Sequence, residues 1–164
     1  MSFFSDQAKQ FQQTAANLQD RLSIDGGGLD GATYTSLEDQ RDALQDQAEA
    51  MIAADLKGTL AQLTVDQTRL AQCTKSLSDA VKEVKRFDQI AGLLSAAVVL
   101  ATAVAKADPG AVFSALAGAE KAVAAVIPKP QPAKSQSASA SGAMSGTLLA
   151  VAASDDSAEP ESRG

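Results

Sequence analysis

Apolar side chains recur every three or four residues along most of the first 105 positions, which is the spacing of one face of an α-helix. The first run of this pattern predicts a helix over about residues 5–22, with an opposite face that is rich in glutamine and carries little charge. Four glycines within residues 26–31 then predict a turn, because glycine loses much backbone entropy when it is held in a helix.

A second, longer run begins at Thr35, where Thr35 and Glu38 match a capping box. It contains no proline and predicts a helix over residues 36–105, which is either continuous or broken at Gly58. Two apolar rows repeat every seven residues in its second half and form a heptad seam over residues 63–101. This seam is covered either when the chain folds back at Gly58 into a compact four-helix bundle or when the chain associates with a partner. The candidate interaction residues on this seam are Leu63, Leu70, Cys73, Leu77, Val84 and Phe87.

The most apolar part of the chain lies at residues 87–127 and predicts a helical hairpin. Asp108 suits an N-cap and Pro109 a first helical turn, so the second arm is predicted over residues 109–127. Gly92 and Gly118 would let the two arms approach each other closely. The hairpin is either a buried core or a membrane-inserting element, and its candidate membrane-contacting residues are Leu93, Leu94, Val98, Val99, Leu100, Val112, Phe113 and Leu116.

Basic residues flank the first arm of this hairpin, as Lys82, Lys85, Arg86 and Lys106. Cations beside an apolar segment suit anionic lipid head groups, although they also solubilise helix ends and complement the helix dipole. The charge-free first arm, Ile90–Ala105, would rise roughly 24 Å, whereas a spanning helix takes about 20 apolar residues. Its length therefore weighs against the membrane interpretation.

Taken together, the patterns predict an all-α protein, an elongated helical bundle with a long central amphipathic helix and an apolar C-terminal helical hairpin. Residues 128–164 are rich in Pro, Ser and Ala and end in an acidic stretch. Such a composition buries too little apolar surface to offset its ordering entropy, so a disordered tail is predicted there.

The composition excludes several kinds of function. A net charge of -6 and the lack of a basic patch argue against a nucleic-acid partner. The chain has no histidine and one cysteine, Cys73, so we expect no catalytic, metal or cofactor site, no small-molecule substrate and no enzyme activity. The N-terminus lacks a secretory signal pattern, which makes a cytoplasmic location the default, with signal-independent export or membrane association as alternatives.

Two functions remain from the sequence. The first is a helical assembly protein that forms a homo-oligomer or binds another helical protein through the seam at residues 63–101. The second is a protein that acts on a membrane or another hydrophobic surface by inserting the hairpin at residues 87–127. The Ala-rich amphipathic body with a Pro/Ala/Lys/Ser tail resembles phasins, which coat polyester granules. The long helix that leads to an apolar hairpin is similar to α-helical pore-forming toxins, and both resemblances imply the second function.

Overall fold

The computed structural model describes residues 2–127, which form five α-helices, two short 3-10 helices and no strand. This confirms the all-α class. The helices are α1 (Phe3–Asp25), α2 (Gly31–Leu56), α3 (Gln67–Glu83), α4 (Phe87–Ala105) and α5 (Pro109–Val126), with 3-10 turns at Gly26–Gly28 and Thr59–Gln62. Met1 and residues 128–164, where the disordered tail is predicted, lie outside the described residues.

Side-chain caps set where four of these five helices begin. The capping residues are Ser2 for α1, Asp30 for α2, Asp66 for α3 and Asp108 for α5. The Asp30 carboxylate accepts a hydrogen bond from the Thr33 backbone N–H at 2.9 Å, so α2 begins at Gly31 and not at the predicted boundary near residue 36. The capping box at Thr35 therefore lies inside α2, one turn beyond the cap that the chain uses.

The prediction of one continuous helix over residues 36–105 is wrong, because the chain turns twice and forms α2, α3 and α4. The first turn is at Gly58, whose φ of 73° lies in the left-handed region that glycine adopts at little cost. A break at Gly58 is one of the two alternatives that the sequence allowed. The second turn, over residues 84–86, contains neither glycine nor proline. Its backbone is extended, and it lets α4 turn back to pack against α3.

Four helices form a ring in the order α1, α2, α4, α3, and α5 packs outside the ring against α3 and α4. α1 and α2 are antiparallel, because the Ser5 hydroxyl near the start of α1 donates to Asp55 near the end of α2 (Oγ–Oδ2 2.8 Å). The segment from Gly58 to Asp66 connects α2 to α3, which lie diagonally across the ring. The apolar hairpin predicted at the C-terminal end is the α4–α5 pair.

Polar side chains lie in the interface between α1 and α3. The Thr74 hydroxyl donates to Gln7 (Oγ1–Oε1 2.5 Å), and the Asn17 amide donates to the Ser78 hydroxyl (Nδ2–Oγ 3.0 Å). Both pairs are buried. Because the higher residue numbers of α1 meet the higher numbers of α3, the two helices run parallel.

One continuous apolar core runs through the ring and the contact with α5, and all five helices contribute to it. Each large side chain removed from water there contributes about 1.5–3 kcal/mol to folding. The largest fully buried side chains are Phe11, Leu18, Leu37, Leu44, Met51, Leu60, Leu70, Leu77, Ile90, Leu93, Leu94 and Leu100. The core thus spans both the amphipathic helices and the hairpin.

Candidate interaction surface

The predicted interaction seam lies inside the chain's own bundle. Because the chain turns at Gly58 and again at residues 84–86, helices α1, α4 and α5 cover the apolar face of α3. The buried members of the seam are Leu63, Leu70, Cys73, Leu77 and Val84, and Phe87 is half-buried with its ring 5.9 Å from the Arg21 guanidinium. A partner that leaves this bundle intact has to bind another surface.

Most of the candidate membrane-contacting residues also face the core. The buried ones are Leu93, Leu94, Leu100, Val112 and Leu116, and Val98 is half-buried. Val99 and Phe113 are exposed, by 56% and 65%. Among the described helices, only α4 is long and apolar enough to cross a membrane, a test that the core helix of a soluble protein also passes. Insertion of these residues would require α4 and α5 to leave the bundle.

The candidate head-group residues are exposed but divided between the two ends of α4. Lys82, Lys85 and Arg86 lie at the turn between α3 and α4, and Arg86 pairs with Asp88 at 2.8 Å. Lys106 caps the opposite end of α4, about 28 Å away by the rise of a 19-residue helix. The structure therefore forms a small basic cluster of three residues at one end only.

The outward side of the α4–α5 pair forms an open groove with a volume of about 580 Å³. Small side chains line it, with Gly92, Ser95, Ala96 and Val99 on α4 and Ser114, Gly118 and Ala122 on α5 among them. Between Asp88 and Lys106, α4 carries no charged residue. This α4–α5 face is therefore uncharged between Asp88 and Lys106 and open to solvent.

Two glycines on the α4–α5 face have no explanation in the packing of residues 2–127. Gly92 and Gly118 lie in helix interiors, where glycine costs roughly 1 kcal/mol relative to alanine. A Cβ atom added at either position would meet nothing within 4 Å. The prediction that these glycines let the two arms approach each other is wrong, because both open towards solvent. Small residues at such positions let a further helix approach closely.

An ion pair joins α5 to α3. The Arg69 guanidinium of α3 donates to both carboxylate oxygens of Glu120 (2.6 and 2.7 Å), and its Cζ lies 5.5 Å from the Phe113 ring. The hydrogen bonds from Arg69 lower the pKa of Glu120, and the same pairing raises the pKa of Arg69. Glu120 is thereby paired with α3, and the uncharged side of α5 lines the groove.

The described residues offer little reactive chemistry. Cys73 is a free thiol, and its burial raises its pKa to about 11, so the thiol is protonated at neutral pH. Within residues 2–127, no three His, Cys, Asp or Glu side chains lie close enough to hold a metal ion.

Sequence reasoning did not separate the exposed positions of α4, which are Asp88, Gly92, Ser95 and Val99, from its buried ones. A signal was present, because Asp88 and Lys106 bound a run without charge in which Gly92, Ser95 and Val99 follow helical spacing. The sequence analysis assigned this run as a whole to a core or to a membrane. Searches against protein-family models, curated proteins and solved structures find no match for this chain.

Proposed function

We propose that this protein is a non-catalytic helical assembly protein that binds a helical partner through the α4–α5 face. The observation that carries the proposal is the pair of helix-interior glycines, Gly92 and Gly118, that open onto an uncharged groove. Within residues 2–127, no contact offsets their cost to helix stability. Close contact with a partner helix would offset it.

The physical basis of such binding is close helix–helix contact. Two backbones separated by small side chains gain many dispersion contacts, each worth about 0.1–0.2 kcal/mol. Few large apolar side chains are exposed on the face, with Val99 the main one in the groove. The heptad seam is buried and stabilises the bundle. Binding is therefore assigned to the surface that remains exposed on the bundle.

Photo-crosslinking in the cells that produce the protein tests this proposal. A benzoylphenylalanine placed at position 99 is expected to give a discrete crosslinked complex with a helical protein or a second copy. The matched control is the same group at Ile24, which is 78% exposed near the end of α1, a helix that does not line the groove. The absence of any complex from position 99, or equal complexes from both positions, contradicts the proposal.

A second candidate function is action on a membrane or another hydrophobic surface, as the resemblance to phasins and pore-forming toxins implies. It is favoured by the length and composition of α4 and by the basic cluster of Lys82, Lys85 and Arg86. This function requires α4 and α5 to separate from α2 and α3. A cytoplasmic location remains a prediction under either function.

Flotation with vesicles distinguishes the second candidate from the first. If the hairpin inserts, the full chain floats with phosphatidylglycerol vesicles, and the variant K82Q/K85Q/R86Q floats less because it lacks the basic cluster. Failure of the full chain to float with anionic vesicles at low salt counts against the second candidate. It leaves the assembly function unaffected.

A further inference from the structure

The exposed positions of α4 form a regular stripe with a charge at each end. They follow one another in alternating steps of four and three residues, which is the spacing of a helix–helix seam. The stripe consists of Asp88, Gly92, Ser95, Val99, Thr102 and Lys106, of which all but the half-buried Thr102 are exposed. Small or medium uncharged side chains fill its middle, an acid lies at its start and a base lies at its end.

The stripe is complementary to a second copy of itself that runs in the opposite direction. Two copies of α4 can be aligned antiparallel about a centre between Ser95 and Val99. Each uncharged side chain of the stripe then faces another uncharged one, and each charged side chain faces one of opposite charge. The facing pairs are Ser95 with Val99, Gly92 with Thr102, and Asp88 with Lys106. The same register brings Arg86 towards Asp108, which is a second pair of opposite charges.

We propose that two copies of this chain associate through the α4 stripe as an antiparallel, two-fold symmetric dimer. The inference rests on the proposed function and specifies its partner as a second copy. An isologous contact requires a surface that complements itself, and the α4 stripe meets this requirement in both size and charge. A parallel alignment would instead set Asp88 against Asp88 and Lys106 against Lys106, which is repulsive.

The dimensions of the face indicate a weak and reversible dimer. The stripe is about 27 Å long, and two helices side by side are roughly 20 Å wide. The contact would therefore bury on the order of 1,000 Å² in total, which is the lower limit for a specific interface. Asp39 of α2 borders the stripe beside Ser95 and Val99, and the two-fold axis sets it opposite its own copy, which weakens the contact further. We expect a dissociation constant in the micromolar range.

Charge reversal tests the register with two variants that serve as each other's control. D88K alone sets lysine against Lys106, and K106D alone sets aspartate against Asp88, so each variant is expected to dimerise roughly ten-fold more weakly than the wild type. In an equimolar mixture, one copy of each restores both opposite-charge pairs. The mixture is therefore expected to form a heterodimer with close to wild-type affinity in sedimentation equilibrium. A mixture that associates no better than the single variants overturns the antiparallel register.

Disulfide crosslinking tests the same register without changing a charge. Cysteines in S95C and V99C face each other only in an antiparallel dimer, so a mixture of the two variants is expected to crosslink several-fold faster than S95C alone. The native Cys73 is buried, and burial raises its pKa, which keeps it out of the reaction. Faster crosslinking of S95C alone would show a parallel dimer and overturn the proposal.

The same measurements distinguish this inference from the broader proposal. A wild-type chain that stays monomeric up to hundreds of micromolar by sedimentation equilibrium overturns the dimer. If position 99 still crosslinks to another helical protein in cells, the α4–α5 face remains a binding surface. If position 99 gives no complex either, both proposals fail.

Discussion

Two glycines in this chain illustrate how one residue type can have opposite effects on stability. Gly58 ends α2 with a φ of 73°, a conformation that costs an L-residue about 1–2 kcal/mol. Gly92 is helical and exposed, so neither its conformation nor any described residue around it requires glycine. The first glycine stabilises the fold, whereas the second destabilises α4 and leaves room on its surface.

Alanine substitutions at these glycines are therefore expected to change the free energy of unfolding in opposite directions. Gly92→Ala should raise it by about 0.5–1 kcal/mol while weakening association, because the added methyl group lies on the α4 stripe. Gly58→Ala should lower it by about 1–2 kcal/mol. Urea denaturation checks both variants at a concentration where the chain is monomeric. A Gly92→Ala variant that is less stable than the wild type would contradict this account of the glycine.

At the scale of the elements, the α1–α3 interface shows that polar side chains beside an apolar helix row can be internal. Gln7, Thr14 and Asn17 border the apolar row of α1 and are buried, whereas Gln10 and Gln13 are exposed. Hydrogen bonds to Thr74 and Ser78 satisfy two of these side chains. Buried polar groups without partners cost about 1–3 kcal/mol each, so these bonds favour the parallel pairing of α1 with α3 over pairings that would leave the groups unpaired.

A double-mutant cycle at Asn17 and Ser78 tests the energetic role of this pairing. Asn17→Ala leaves the buried Ser78 hydroxyl without its side-chain partner and is expected to lower the free energy of unfolding by about 1–3 kcal/mol. Adding Ser78→Ala should cost little more, because the partner group is then gone as well. Chemical denaturation of the two single variants and the double variant gives the coupling. Fully additive losses would show that the hydrogen bond does not stabilise the α1–α3 pair.

At the scale of the whole described bundle, all five helices share one core. A destabilising substitution at one central position should therefore unfold all five helices together. Leu94 is fully buried and Val99 is 56% exposed, although both lie on α4. This contrast separates the part of α4 that supports folding from the part that is available for binding.

Aspartate substitutions at Leu94 and Val99 are expected to have different effects for this reason. Leu94→Asp places a charge in the core, at a cost of at least about 4 kcal/mol, a large fraction of typical domain stability. We expect it to abolish the cooperative thermal transition, including the part due to α1 and α2. Val99→Asp should keep the thermal midpoint within a few degrees and abolish dimerisation. Circular dichroism and sedimentation equilibrium measure the two effects, and a cooperative transition retained by Leu94→Asp would show that the helices fold in separate units.

The parts of the structure that depend on neighbouring residues could be predicted from the sequence. Apolar spacing predicted helices, the glycines at 26–28 predicted a turn, and Asp108 with Pro109 predicted the start of α5 at the observed residue. These features depend on hydrogen bonds and steric contacts within one turn of helix, which the local sequence contains.

Tertiary packing decided which face of each helix meets protein and which meets solvent. The turn at residues 84–86 has no local signal, because it is stabilised by the burial of α3 against α4 across the bundle. From the sequence, the heptad seam could bind a partner or form part of the chain's own core. It forms part of the core because α4 folds back onto α3. Gly92, Ser95 and Val99 became surface for the same reason. The sequence by itself determined that the chain would be helical, because helix formation is local. Only the tertiary structure decided which face stays exposed for the proposed binding, because burial depends on residues far apart in the chain.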